Sequence, residues 1–310
     1  MNVLFIDHAC HRQTCSSDFM RELLARRHQV DSFYFSRHYD CSVPREKLDW
    51  ADLVVFVEFI PFRFAAGLTG KRCLFLPMYD NEWGSKWWWR RLALLGMNVI
   101  SFCARVGEHA RRCGVRNVLD VRFAFDPARF AGSAGDPRQA VFWDRGVISP
   151  QKVRSLFAPD AIDRLVVYRD FLPREEYLKL VASAGVYVAP RYKEGIGMAF
   201  LEQLARGKCV IAHADATMDE YLVDGVTGVL TDLHNPRVVS AAEIERIRAN
   251  VPAHAERLYR DWLVDETRIL EFVDALCDQP PLASPWSLKS IVWYGLYWIE
   301  GALMRLRHGT

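Results

Sequence analysis

The sequence predicts an α/β protein built from two Rossmann-like domains, and three observations carry that prediction. Short apolar, β-rich runs alternate with stretches of helical spacing through the first half of the chain. At 310 residues the chain is long enough for two domains, each with a core of its own. Around residue 190 a strand, a glycine-rich loop, a helix and a further strand follow one another, which is the repeating unit of an open parallel sheet.

Residues 3–7 are apolar almost from the start and follow no charged leader, so they read as a first core strand rather than a targeting segment. A helix is expected over about 16–27, with Ser17 or Asp18 as cap and Phe19, Leu23 and Leu24 on its apolar face. Strands are expected at 30–35, 53–58, 73–78, 98–103 and 117–121. Small and turn-forming residues dominate 131–137, which places a linker at 131–139 between a first domain, 1–130, and a second, 140–240. The second domain opens on a strand at 140–144, and only one further strand, 165–168, fits before Gly185, so this domain is short. Closing helices are expected over 241–277, with a break near Pro252, and a tail helix over 285–308.

Composition narrows the function. About half the residues are apolar (51%) and a quarter charged (25%), without low-complexity runs, which argues against disorder. A net charge of +2 is too small to imply a nucleic-acid partner. Eight cysteines, at 10, 15, 41, 73, 103, 113, 209 and 277, include no C-x-x-C pair and read as reduced thiols of a cytoplasmic protein. His8, Cys10, His11 and Cys15 cluster, but their spacing fits no familiar ligand pattern, and no metal is expected.

Residues 190–212 carry the chemistry. Glu194 lies in the loop after a buried strand, and Glu202 lies about two turns into the following helix. Gly195 and Gly197 permit close approach of the backbone to a ligand, and the amides of Ile196 to Met198 stand at a helix N-terminus suited to an anion or to sugar hydroxyls. An ionised Glu202 offers only acceptors, which suits the paired hydroxyls of a ribose. A lone E-x7-E spacing is weak, since most helix-face glutamates are merely solvated.

The surrounding residues sharpen it. From Tyr187 to Leu230 the chain resembles the donor-sugar half of the retaining nucleotide-sugar glycosyltransferases of family four: Ala-Pro before the loop, Glu194-Gly-x-Gly197, Glu202-x-x-Ala205-x-Gly207, Val210-Ile-Ala212, Glu220 and Asp224-Gly-Val-Thr-Gly228. The resemblance implies the GT-B fold, two Rossmann-like domains facing a cleft with C-terminal helices that return to the first domain. It implies that Glu202 holds the ribose, that the loop Glu194–Met198 holds the donor sugar, and that front-face attack by an acceptor hydroxyl retains anomeric configuration. The nearest equivalents of the family's diphosphate-gripping Arg and Lys are Arg145 and Lys152, although their spacing is longer and the usual Gly-Arg order is reversed. With those cations on the leaving group, no metal cofactor is required.

The acceptor side is less distinct. Where the family often has a glycine-rich loop after the first strand, this chain has residues 8–15, so His8, His11 and Asp80, at strand ends, are the acceptor-side candidates. Two aromatic and basic segments, 83–95 and 286–307, have the composition of membrane-interface helices. The longest uncharged run of the tail, 290–299, is too short to cross a bilayer, so the expectation is in-plane contact on the inner membrane face. The reading is a cytoplasmic, peripherally membrane-bound retaining glycosyltransferase that uses a nucleotide-sugar donor and a glycan or lipid-linked acceptor in surface polysaccharide or glycolipid synthesis. The alternatives are a GT-B-like nucleotide-sugar epimerase or phosphorylase, and a non-catalytic sugar-nucleotide-binding subunit.

Overall fold

The computed structural model describes residues 1–36, 43–59, 68–81, 85–170, 172–284 and 287–308. The chain forms two compact units, Met1–Val121 with Glu266–Thr310, and Arg122–Asp265.

The first unit is built on six parallel strands: β1 (Asn2–His8), β2 (Gln29–Phe35), β3 (Leu53–Val57), β4 (Arg72–Leu76), β5 (Asn98–Ser101) and β6 (Val118–Asp120), in the order β2-β1-β3-β4-β5-β6. β1, β3 and β4 are near-continuous apolar runs because helices cover both faces of a parallel sheet. The connecting helices are α1 (Ala9–Thr14), α2 (Asp18–Ala25), α3 (Arg45–Trp50), α4 (Lys86–Leu95) and α5 (Ala104–Arg112). Residues 8–15, expected as a loop, thus contain a short helix. The connections leave β1 in opposite directions, toward β2 and toward β3, and a crevice forms at such a reversal, outside the carboxyl ends of the strands.

The tryptophan-rich segment departs from the expectation of a membrane surface. Trp88 and Trp89 are 2% and 0% exposed and pack edge-on to each other at 5.0 Å, with Phe75 of β4 5.5 Å from Trp88. The apolar stripe of α4 lands on the sheet, where burying an aromatic ring is worth more than leaving it at an interface. Trp87 remains partly exposed beside Lys86 and Arg90, at 4.9 and 5.2 Å; Trp83 lies outside the described residues.

In the second unit the strands are β7 (Asp136–Trp143), β8 (Arg164–Tyr168), β9 (Ala184–Val188), β10 (Cys209–His213) and β11 (Val229–Thr231), all parallel in the order β11-β10-β9-β7-β8. The helices are α6 (Pro150–Arg154), α7 (Arg174–Ser183), α8 (Met198–Ala205), α9 (Met218–Tyr221) and α10 (Ala241–Ala275). β7 begins four residues earlier than expected, inside the linker. Gly135, at φ +71°, brings the backbone so close to β9 that a Cβ there would lie 2.2 Å from the Ala184 carbonyl oxygen, and pairing starts at the next residue. β11, three residues long, was too short to announce itself in the sequence.

The expected break at Pro252 does not occur, because α10 runs unbroken through it. A proline inside a helix forfeits one backbone hydrogen bond and costs about 3 kcal/mol. Burial of Val251, Ala255 and Trp262, at 0%, 3% and 3% exposure, offsets that cost. Beyond Asp265 the helix belongs to the first unit, where Arg26 and Arg27 pair with Glu266 and Asp274 at 2.6 and 2.7 Å. The last helix, α11 (Leu288–His308), packs on α4: Arg91, 6% exposed, donates through Nε to Ser290 Oγ at 3.1 Å, and its guanidinium covers the Tyr294 ring at 4.3 Å. No helix among the described residues is long and apolar enough to cross a membrane.

Candidate functional site

The carboxyl edge of the second sheet gathers most of the residues singled out from the sequence. β9 ends in the loop that carries Glu194 and enters α8 at Gly197. Gly197 is left-handed, φ +80°, and a Cβ there would meet the Phe200 ring at 1.9 Å, so the chain needs glycine to turn into the helix over a buried aromatic. Ile196, 7% exposed, anchors the loop in the core, while Glu194 and Met198 remain partly exposed. From the far side Thr217, fully buried and itself at φ +71°, donates its hydroxyl to the carbonyls of Glu194 and Gly195 at 2.8 and 3.3 Å. A positive φ is rare outside glycine, and strain of this kind concentrates where a loop must be held for a ligand. Nothing in the spacing of the sequence singles out Thr217.

Glu202 is already partnered. Arg206, one turn on and 7% exposed, places Nε and Nη2 at 3.1 and 2.7 Å from the same carboxylate oxygen, Oε1. Both of those hydrogen bonds fall on one oxygen, so the other, Oε2, is the one available to ligand hydroxyls. Nearby, burial and then the Glu202 charge raise the hydroxyls of Tyr168 and Tyr177 above their ordinary range, which keeps them neutral donors.

Arg145 and Lys152, paired in the sequence reading, have different immediate partners. The guanidinium of Arg145 lies 4.5 Å from the Trp143 ring centre at the end of β7, and Trp143 in turn stacks on Tyr168 at 5.9 Å and 7°. Lys152 donates to the His234 carbonyl at 3.1 Å, past the end of β11. There the His234 ring lies flat on Tyr192, at 4.0 Å and 12°, and His213 of β10 closes edge-on over both. Among the described residues, His213, Asp232 and His234 are the group whose potential metal-ligating atoms converge, all within 4.8 Å of one another. The Leu233 amide donates to His213 Nδ1 at 3.2 Å, which engages that nitrogen's lone pair. A separate depression of about 800 Å³, lined by Asp126, Phe130, Arg206, Arg248 and Tyr259, includes no residue of the Glu194 loop.

In the first unit the three acceptor-side candidates lie near one another but differ in their partners. His8 caps α1, accepting from the Cys10 amide at 3.2 Å, and packs edge-on to Phe35. His11 instead joins a polar cluster that sequence reasoning missed. Asp7, fully buried at the end of β1, accepts from His11 Nδ1 at 2.6 Å, from the His8 amide at 2.7 Å and from Ser17 Oγ. Ser17, expected to cap α2, spends its hydroxyl there and makes no capping bond. His11 Nε2 lies 3.5 Å from Glu58 Oε2, and Glu58 Oε1 accepts from Asn81. Asp80 sits in the single helical turn Tyr79–Asn81 after β4, close enough for its charge to reach His11. Glu58, the residue after β3, is left-handed at φ +65°. The signal available in the sequence was an acid at the end of each of two apolar strands.

Residues 164–258 match the family model described as glycosyl transferases group 1. The match takes in β8 to β11 and the start of α10, so this part of the second unit is similar to group 1 glycosyltransferases. A D-inositol 3-phosphate glycosyltransferase of Corynebacterium diphtheriae is 32% identical over 91 residues, covering 29% of this chain and 21% of that protein. The aligned stretches span 21% to 28% of the length of the curated relatives. Among solved structures, a glycosyltransferase from Rickettsia africae superposes with a TM-score of 0.65 at 11% identity, over 90% of this chain and 99% of that one. Anabaena HepE, solved with UDP-glucose, superposes with a TM-score of 0.59 at 14% identity, over 89% of this chain and all of that one. The chain therefore has the GT-B fold.

Proposed function

We propose that this chain is a retaining glycosyltransferase that moves a sugar from a nucleotide-sugar donor to a hydroxyl of a glycan or lipid-linked acceptor in surface polysaccharide or glycolipid synthesis. The observation that carries the reading is the clamped Glu194–Met198 loop at the strand ends, with Glu202 one helix face away. In this reading the loop receives the sugar, the α8 N-terminus and Arg145 and Lys152 take the diphosphate, and Glu202 Oε2 takes the ribose. The matching of this stretch to group 1 glycosyltransferases supports it, as does the UDP-glucose bound by HepE.

A thermal-shift panel of UDP-, GDP- and dTDP-sugars tests donor binding, since a ligand that binds only the folded state raises its melting temperature. One donor is expected to raise the melting temperature, and Glu202→Gln is expected to weaken that donor about tenfold, roughly 1.4 kcal/mol. Unchanged affinity in the variant refutes the ribose assignment. Release of nucleotide that depends on added acceptor, with D-inositol 3-phosphate in the acceptor panel, separates transfer from epimerisation.

Peripheral attachment to the inner face of the membrane belongs to the same proposal and rests on α11. Leu288, Ile291, Val292 and Ile299 are 78%, 48%, 50% and 57% exposed, and Lys289 lies 4.8 Å from the Trp293 ring. Trp286 lies outside the described residues. The full chain is expected to sediment with vesicles rich in phosphatidylglycerol, and Ile291→Glu with Val292→Glu to abolish this. Equal sedimentation of the double variant would rule out α11 as the contact.

A further inference from the structure

The depression of about 800 Å³ on the second unit is left without a role by the donor reading. One wall is a face of α10, where Glu245, Arg248, Pro252, Glu256 and Arg260 recur at intervals of three and four residues and so stand on one side of the helix. From Glu245 to Arg260 that face runs about 22 Å at the α-helical rise. The turn Pro127–Phe130 and the end of α8, with Arg206, complete the lining. The result is an elongated groove contributed wholly by the second unit.

Its polar groups have bonding capacity left. Glu245, Glu256 and Arg260 are exposed and make no ion pair or side-chain hydrogen bond to a described residue, although Glu256 and Arg260 stand one turn apart in the order that favours pairing. Arg206 gives Nε and Nη2 to Glu202 and keeps Nη1. Arg248 gives Nη2 to the carbonyls of Ala134 and Gly135 at 3.3 and 2.8 Å, and its Nε is buried with no partner. Buried N–H groups are nearly always satisfied, so an orphan on a residue that lines a groove points to a hydrogen-bonding occupant.

Charge and surface select the occupant. Three arginines line the groove with three acids, Asp126 among them, so a phosphate would meet carboxylates and a cation would meet guanidinium groups. A neutral polyhydroxylated chain meets neither obstacle, because each hydroxyl both donates and accepts. The rings of Phe130 and Tyr259 add apolar surface for the carbon faces of such a chain. We propose that this groove binds a neutral oligosaccharide segment, apart from the Glu194 loop, and so holds the glycan that the enzyme extends. Naming the occupant as that glycan rests on the reading of the chain as a glycosyltransferase acting on a glycan; the groove and its hydrogen-bonding groups do not.

Calorimetric titration of the full chain with maltotetraose, cellotetraose and tetra-N-acetylchitotetraose, each with and without the nucleotide-sugar that binds in the donor panel, tests it. At least one is expected to bind with a dissociation constant of about 1 mM or tighter, and about tenfold more tightly than its disaccharide. Its affinity is expected to be nearly the same at low and high salt, because the ligand carries no charge. Arg260→Ala combined with Glu256→Ala, both exposed and unpartnered in the fold, is expected to weaken binding at least about tenfold while affinity for the nucleotide-sugar stays the same. None of the three binding, or equal binding by the double variant, overturns the proposal while the donor reading stands. Displacement of the tetrasaccharide by the nucleotide-sugar places it at the transfer site and also overturns the proposal. Concentration-dependent dimerisation that the double variant abolishes assigns the groove to a second copy of the chain and overturns it as well. Tetrasaccharide binding with no nucleotide-sugar bound in the panel keeps the groove and overturns the glycosyltransferase reading instead.

Discussion

Glu194→Gln is expected to lower the rate of sugar transfer by roughly 10²–10³-fold, the size of effect seen when one preorganised electrostatic group is removed from a transition state. The substitution keeps the shape and hydrogen-bonding reach of the side chain and removes its charge. The loop itself should persist, because Thr217 holds the Glu194 backbone carbonyl rather than the carboxylate, and Ile196 keeps its place in the core. Donor affinity is therefore expected to stay within a few-fold while kcat falls, the mark of an interaction made chiefly in the transition state. Kinetics that raise KM and spare kcat would instead make Glu194 a ground-state binding residue.

Lys208 carries the second large effect, on stability. Its side chain is fully buried, and Nζ donates to the carbonyls of Ala184, at 2.7 Å, and Val181. Burial, with repulsion from Arg206 and Arg248, pushes the ammonium down to about 7, against some support from the Glu202 charge. The two carbonyls favour the charged form, so the folded value lies at or above that figure and still below the roughly 10.5 of a solvated lysine. Between the two values the unfolded chain binds the extra proton, so stability rises as pH climbs through this window and is flat below it.

Compared with Lys208→Met, which has no such proton, the parent is expected to gain up to roughly 2–3 kcal/mol between pH 7 and pH 9. Urea unfolding of both proteins at pH 6, 7, 8 and 9 measures it. Parallel pH profiles would mean that the carbonyls hold the ammonium fully charged in the fold. The substitution also leaves those two carbonyls without their donor, which lowers stability by about 1–3 kcal/mol for each buried acceptor at all pH values. The slope, rather than the offset, is thus the diagnostic quantity.

Legibility of the fold followed the length and apolarity of each element. Runs such as β1, β3 and β10, where consecutive residues are buried on both faces, stood out from the sequence. β11 did not, since three residues carry too little pattern, and α10 defied a local rule because tertiary burial outweighed the proline. In α4 composition misled: tryptophan beside arginine suits a membrane interface and a packed core edge alike, and only the direction of each side chain tells them apart.

The site divides in the same way. Glycines that must turn, acids at a fixed interval and the helix that follows them are local properties, so residues 194–202 could be found by reading along the chain. Partnerships across the chain could not: Thr217 beneath the Glu194 loop, His234 on Tyr192, and Glu58 and Asn81 around His11 are separated by tens of residues and brought together by strand order. The Arg206 pairing is local, yet its consequence, one carboxylate oxygen engaged, depends on side-chain direction that spacing does not specify. What the sequence alone determined was the class of fold and the glycine-rich loop that enters α8. The tertiary structure decided which charges are already partnered, because hydrogen bonding and burial are set by neighbours in space.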